Sequence, residues 1–373
     1  MSASQNGIVR VAIAGQGRSG YGIHAACLRR MTDRFAIVAA ADQLEERRQE
    51  AAREFGARVY GDWTELLADG AFDLFVNALP TPLHGPATRA ALEAGKHVLC
   101  EKPMAATLAD FDAMVDTAAR QRRLLAPFQN NRHQPFFEKI QEVLQSGVLG
   151  RPLYIRSTWA RFARRWDWQT LQENMGGSLL NTGPHALDQA LVLFGRQSEP
   201  RVFCRMDCRN PFGADAEDHC TVTLYDPDRQ APQIDILISA YVAYPQGERY
   251  NIAGTCGGLS GGESQLTWRY FDPAKAPKQT MWNWSVDRQY PREELPWVEA
   301  QWTLDRQPDG PVSGYTLRSL PSGPRRIYEN VHAVLTAGAP LEITLDQVRR
   351  QIAILEECHR QNPLPRRAAA VAG

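Results

Sequence analysis

The chain has 373 residues, with 42 Lys plus Arg against 42 Asp plus Glu and no formal net charge. That length exceeds one ordinary core and predicts two domains, and the balanced charge gives no reason to expect nucleic acid or an anionic membrane as partner. No apolar run approaches a membrane span, the polar Met1–Gly7 stretch lacks the apolar core of a secretory signal, and the seven cysteines form no CxxC pair, so we expect a cytoplasmic protein without a metal site.

Val9–Ala14 reads as a buried strand running directly into Gly15-Gln16-Gly17-Arg18-Ser19-Gly20, with a helix expected from Ile23 to Arg30. This is G-x-G-x-x-G between strand and helix, the context that gives it meaning. The first glycine allows the tight turn, the second lets a pyrophosphate approach the backbone, and the third permits close helix–strand packing. A second buried strand, Phe35–Ala41, ends at Asp42. A carboxylate about twenty residues beyond the glycines accepts the adenine-ribose hydroxyls and repels a 2′-phosphate, which favours NAD over NADP. Arg47 and Arg48 fall in the next helix, Glu45 to Phe55, and read as part of a solvated face.

The alternation continues with Asp62 as the N-cap of a third helix and a strand over Phe72–Leu79. Pro80 and His84 follow at that strand's carboxyl end, where a positioning role is expected of the histidine. A helix over Pro86–Ala94 leads to the strand His97-Val98-Leu99-Cys100, which closes on Glu101-Lys102-Pro103, and a helix over Leu108–Gln121 follows. Ligands of an open parallel sheet bind beyond the carboxyl ends of its strands, and the proline keeps Lys102 out of helical dihedrals, so its amine is presented there. Strand and helix alternating this regularly imply a doubly wound parallel sheet.

From Ala126 the pattern changes. A helix over Pro135–Ser146 carries Phe136, Phe137, Ile140, Val143 and Leu144 at core spacing. Strands are then expected at Leu153–Trp159, Arg201–Cys208, Cys220–Tyr225, Gln233–Tyr244, Asn251–Ala253 and Ser264–Tyr270, several alternating polar and apolar, as in a sheet with one covered face. Among them Gly176-Gly177 leads through Asn181 and Gly183-Pro184 to His185 at the start of a helix. The positive end of that helix would keep the imidazole neutral, the state a general base requires. A final amphipathic helix is expected over Leu345–His359.

Taken together, Gly15–Gly20, Asp42, Pro80-Thr81-Pro82-Leu83-His84, Ala91–Pro103 and Gly176–Asp188 resemble the Gfo/Idh/MocA family, the glucose–fructose oxidoreductase and inositol dehydrogenase group. The resemblance runs through nearly the whole chain. It implies an N-terminal Rossmann domain, taken as residues 1–125, and a C-terminal α/β domain, residues 126–373, built on a large open, mainly antiparallel sheet. It further implies a nicotinamide cofactor, a sugar-like substrate and oligomerisation, as a homodimer or homotetramer, through the open sheet. Lys102 matches the family's active-site lysine and His185 its catalytic histidine. Where the family often places an aspartate four residues before that histidine, this chain has Asn181.

Eight of the nine tryptophans follow residue 150. Arg165, Trp166 and Trp168 lie just before the glycine pair, and aromatic faces beside Arg and Asp suit stacking on a sugar ring. The Trp282–Trp302 segment reads as a cover for the site or a subunit contact. We therefore expect hydride transfer between a secondary alcohol of a sugar, sugar derivative or cyclitol and NAD. Gly15, Gly17, Arg18, Ser19, Gly20, Asp42, Pro80, His84, Glu101 and Lys102 would hold the cofactor. Lys102, Arg165, Trp166, Trp168, Asn181 and His185 would hold the substrate. Lys102 and His185 divide the roles of base and alkoxide stabiliser in an order the residues leave open, and Asn181 orients. The alternatives are an enzyme that retains NAD and oxidises transiently to cleave glycosides or exchange electrons between sugars, and a non-catalytic NAD-binding sensor.

Overall fold

The computed structural model describes residues 7–244, 247–281, 284, 288–304 and 322–366. Its first sheet has six strands, all parallel: β1 (Val9–Ala14), β2 (Phe35–Ala41), β3 (Arg58–Tyr60), β4 (Leu74–Asn77), β5 (His97–Cys100) and β6 (Leu125–Pro127), in the order β3-β2-β1-β4-β5-β6. Helices between them cover both faces, which is why β1, β4 and β5 are almost continuously apolar and buried. These are α1 (Ala26–Leu28), α2 (Glu45–Phe55), α3 (Trp63–Asp69), α4 (His84–Glu93) and α5 (Leu108–Gln121). Asp62 caps α3 by accepting the Thr64 N–H. The strand order reverses between β1 and β4, and that reversal opens a crevice at their carboxyl ends.

Three differences from the sequence reading matter here. β3 and β6 have three residues each, too few for a period to register, and β6 carries the sheet past residue 125. The strand expected over Phe72–Leu79 is confined to Leu74–Asn77. The helix expected from Ile23 begins instead as a π turn over Gly20–Ala25 and passes into the short α1.

The second sheet has eight strands: β7 (Pro152–Ala160), β8 (Arg201–Asp207), β9 (His219–Tyr225), β10 (Gln233–Ser239), β11 (Tyr250–Gly254), β12 (Gly257–Gly261), β13 (Gln265–Tyr270) and β14 (Val298–Thr303). Their order is β14-β13-β12-β11-β7-β10-β9-β8, antiparallel except where β10 runs beside β7. Two of these strands, β12 and β14, have no counterpart in the sequence reading. β12 is hidden by its glycines: a Cβ on Gly257 would stand 2.3 Å from the Arg269 carbonyl, so the close approach of β13 excludes a side chain.

Alternate residues of β9 and β10 face a core shared with α6 (Pro135–Gln145), α7 (Ser178–Asn181) and α8 (Gly183–Phe194). The opposite face leaves Tyr154, Phe203 and Tyr225 exposed. Two further helices, α9 (Ser322–Ala337) and α10 (Leu345–Gln361), close the molecule. Ile327, Tyr328 and Val331 of α9 and Val348 and Ile352 of α10 belong to the first domain's core, whereas Ile354, Leu355 and Cys358 of α10 belong to the second. Among the described residues no helix is long and apolar enough to cross a membrane.

Candidate active site

A cleft of about 650 Å³ runs from the glycine loop, past the ends of β2, β4 and β5, to the start of α8. A slightly larger hollow of about 710 Å³ lies on the open face of the second sheet, lined by β7 and β11–β14 and holding none of the expected site residues.

At one end of the cleft the three glycines divide their work as their spacing predicts. A Cβ on Gly15 would meet the Ala78 carbonyl at 2.4 Å, and one on Gly20 would meet the Gly15 carbonyl at 1.8 Å. Those two positions are closed to any side chain. A Cβ on Gly17 would meet only Arg47 Nη1, at 3.8 Å, so this glycine keeps open the space in front of the loop. Arg18 and Ser19 line the same wall.

Asp42 stands at the end of β2 with its carboxylate fixed by the N–H groups of Gln16 (2.8 Å) and Leu44 (2.9 Å). Arg47 is not merely part of a solvated face. It turns to within 3.4 Å of the Asp42 carboxylate and lines the cleft, while Arg48 donates to the carbonyls of Asp42 and Gln43. Open space before Gly17 and a hydrogen-bonded carboxylate at the end of β2 form a fitting cradle for a dinucleotide.

Deeper in the cleft, β5 delivers Glu101 and Lys102, and the Lys102–Pro103 peptide is cis. Lys102 is half-buried, and its Nζ donates to the backbone carbonyl of Asn181 at 2.9 Å. Desolvation lowers its pKa, opposed by the Glu101 carboxylate and assisted by the charges of Arg18 and Arg165. Glu101 is buried and accepts the Lys102 backbone N–H at 3.0 Å. Its desolvation is outweighed by His24 and Lys102, and its pKa falls to about 2. His84 is also buried, with Nδ1 2.7 Å from the Pro103 carbonyl and Nε2 2.9 Å from the Leu79 carbonyl. Burial depresses its pKa, and the neutral ring donates to one of these carbonyls while packing against the other, between the two loops that frame Lys102. That geometry is a clasp.

His185 enters from the second domain on the first turn of α8. Its pKa falls to about 3, chiefly through enclosure by protein and then through the positive charge of Lys102. Burial, more than the helix end, keeps the ring neutral. Its Nδ1 is enclosed by protein without a hydrogen-bond partner there, while the residue lines the cleft. Trp159 stacks on the imidazole at 6.4 Å, with the Arg249 guanidinium 3.8 Å from the Trp159 ring centroid on β7. Asn181 ends α7 and lines the cleft, but its bond to Lys102 is made by its main chain.

The aromatic residues separate. Trp168 lines the cleft, together with Gln169. Trp166 is 75% exposed, packs edge-on against Phe212 and does not line the cleft. Arg165 is held by Asp167 and by Gln169 Oε1, close enough to Lys102 for its charge to be felt. Trp282 lies outside the described residues, and Trp297 packs on Phe271 and Arg269 near the edge of the second sheet.

Residues 9–129 match the family described as oxidoreductases with an NAD-binding Rossmann fold, and residues 137–260 match the GFO/IDH/MocA C-terminal domain. An uncharacterised oxidoreductase of Schizosaccharomyces pombe is 30% identical over 271 residues, covering 69% of this chain and 73% of that one. The chain belongs to the Gfo/Idh/MocA family. It is an oxidoreductase with an NAD(P)-binding domain. Over 93% of its length, and 92% of the relative's, it is 26% identical to a protein of Bacillus subtilis named scyllo-inositol 2-dehydrogenase (NADP(+)). An oxidoreductase of known structure from Thermotoga maritima shares the fold, with a TM-score of 0.75 and 20% identity over 95% of this chain and 96% of that one.

The Gfo/Idh/MocA resemblance drawn from sequence therefore names the family correctly. Several residues around the site carried no signal in the reading of the chain. Trp159 lies on β7 and Arg249 just before β11, and Glu217, which fixes the start of α7 by accepting the Leu179 N–H at 2.9 Å, lies 38 positions away from it. The buried Arg132–Asp188 ion pair ties α8 to the segment before α6 in the same way. Such partners are found by topology, not by spacing.

Proposed function

We propose that this oxidoreductase interconverts a secondary alcohol of a sugar, sugar derivative or cyclitol with the corresponding ketone, with a nicotinamide dinucleotide, preferably NAD, as hydride partner. The observation that carries the reading is the convergence of Lys102 from the first domain and His185 from the second on one cleft floored by the glycine loop. When bound, the nicotinamide supplies the site that accepts or returns the hydride.

In this reading the neutral His185 ring accepts the hydroxyl proton as the carbon loses its hydride, so one proton and one hydride leave the alcohol together. The Lys102 ammonium, held by the Asn181 carbonyl, donates to the same oxygen and stabilises the developing negative charge. The division of labour follows from charge. A ring that stays neutral accepts a proton, and a cation stabilises an anion. Trp168 and Asn181, which line the cleft, would meet the face of a ring and the remaining hydroxyls, with Arg165 behind them. Asp42 favours a free ribose hydroxyl over a 2′-phosphate, with Arg47 beside it as the residue that would soften the preference. The naming of the Bacillus subtilis relative as a cyclitol dehydrogenase supports a polyhydroxylated substrate. The exposed apolar face of the second sheet suits a homodimer or homotetramer.

The test is a panel of cyclitols, free sugars and glycosides offered with NAD or NADP, read by the absorbance of the reduced cofactor. Accumulation of NADH with one class supports the reading. Turnover without added cofactor points to retained NAD, and dinucleotide binding without any turnover overturns the enzymatic assignment.

A further inference from the structure

Beneath Lys102 lies a line of polar groups that the reaction as described leaves unused. His24 is wholly buried, its ring 4.2 Å from that of Phe128, and its Nε2 lies 3.3 Å from Glu101 Oε1. Its Nδ1 lies 2.8 Å from the hydroxyl of Tyr328, itself wholly buried on α9. Glu101 Oε2 accepts the backbone N–H of Lys102. Tyr328 keeps its proton, since burial raises the phenol well above its ordinary range. When it donates to Nδ1, the ring hydrogen sits on Nε2, on the side of the carboxylate 3.3 Å away, a close polar contact rather than an aligned hydrogen bond.

The π turn is what puts His24 there. In Gly20–Ala25 the His24 N–H reaches back five residues to the Ser19 carbonyl, at 2.9 Å, and the Ile23 N–H shares that acceptor. One extra residue is thus wound into the turn after the glycines, so that Ile23 lines the cleft and His24 points beneath β5. Single π turns of this kind recur at functional sites.

We propose that His24 and Tyr328 are positioning residues for Lys102, holding the Glu101 carboxylate ionised and oriented as the counter-charge of the ammonium. Desolvation favours a neutral Glu101, and the close His24 ring and the donated Lys102 N–H oppose it. The groups facing this pair from neighbouring elements do not substitute. Arg18 on the glycine loop and Arg165 before α7 repel the ammonium, His185 and His84 are neutral, and the Cys100 thiol keeps its proton. Glu101 is the anion adjoining Lys102 in the chain, and its Oε2 holds the Lys102 backbone N–H. The inference takes its catalytic meaning from the function proposed above, but its test does not depend on that function.

The test titrates Lys102 directly. The protein is given brief pulses of acetic anhydride across a range of pH, and acetylation of Lys102 is read by mass spectrometry. Replacing His24 by Leu removes the donor, lets Glu101 take up a proton and strips Lys102 of its counter-charge. The His24→Leu midpoint is expected about one pH unit below wild type, with about tenfold more reactive amine at pH values below both midpoints. His24→Gln, which restores an N–H donor, is expected to titrate like wild type. Should His24→Leu fail to fold, Tyr328→Phe decides, with a smaller shift of the same sign expected. An unchanged midpoint in the leucine variant, or in Tyr328→Phe where it stands in, overturns the proposal, as does a glutamine variant that behaves like the leucine one. Quenching of tryptophan fluorescence by NADH, measured in parallel, tests the cofactor reading separately: its failure would leave the Lys102 titration intact.

Discussion

Lys102 Nζ and the backbone carbonyl of Asn181 are 2.9 Å apart, joining the end of β5 to the end of α7 across 79 positions of sequence. Because the acceptor is main chain, a substitution at Asn181 leaves it in place, whereas one at Lys102 removes both the donor and the charge. Lys102→Ala is expected to lower kcat by about 10²-fold or more, the scale of one positioned electrostatic group. Asn181→Ala is expected to act mainly on KM. Steady-state kinetics on the best substrate of the panel distinguishes the two, and near-wild-type kcat in Lys102→Ala would remove the lysine from the mechanism.

The glycine loop makes a sharper prediction, because two of its residues have opposite reasons for being glycine. Gly17→Ala adds a methyl into open space. Its thermal midpoint should stay near wild type while the dissociation constant for NADH rises at least about tenfold, a loss of about 1.4 kcal/mol. Gly20→Ala drives a methyl into the Gly15 carbonyl and should destabilise the fold itself. Calorimetry and fluorescence titration on both variants check the pair. A Gly17 variant that binds NADH normally would remove the dinucleotide from this loop.

Which dinucleotide is preferred rests on Asp42 and its neighbour Arg47. Asp42→Ser removes the charge that repels a 2′-phosphate and leaves Arg47 free to meet one. The ratio of dissociation constants for NADP and NAD is expected to move toward NADP by about tenfold or more. An unmoved ratio would show that selection is made elsewhere.

The depressed pKa of His185 sets the sign of a pH effect. In the unfolded chain the ring takes up a proton near pH 6.5, whereas in the folded protein it does so only near pH 3. The folded state therefore binds fewer protons between those values, and this residue's contribution to stability is present above about pH 6.5 and lost as pH falls toward 3. Urea unfolding between pH 7 and about 4 should show that loss, diminished in His185→Ala. For the same reason, activity should not fall with an ordinary histidine titration near pH 6.5.

His84 serves stability. Its ring sits between the carbonyls of Pro103 and Leu79, and His84→Leu leaves one buried carbonyl without its donor, a cost of about 1–3 kcal/mol in urea unfolding. A stability loss without a new pH dependence of kcat is the expected signature of a clasp.

What could be read from the chain was local. The bounds of α2 and α5 and the cap at Asp62 follow from period and end chemistry, and all three stand as expected. The glycine loop, Asp42, Lys102 and His185 were legible because each sits at a punctuated strand or helix end. The three-residue strands, the glycine-filled β12 and the contribution of α9 to the first core were not, since each is stabilised by partners far away in sequence. His24 escaped for a related reason. An α-helical period assigns it no special side, and only the extra residue in the π turn swings it under Glu101. Trp166 and Trp168 differ by a loop conformation that no period encodes.

The placement of α9 bears on how the molecule is made. Tyr328, which fills the first domain's core and touches His24, is synthesised some three hundred residues after that histidine. A nascent chain whose first 250 residues have left the ribosome holds the glycine loop, Lys102 and His185, yet its first core lacks the helix that seals it. Cofactor affinity should therefore arise late in translation, when the last two helices emerge and the lysine acquires the buried framework beneath it.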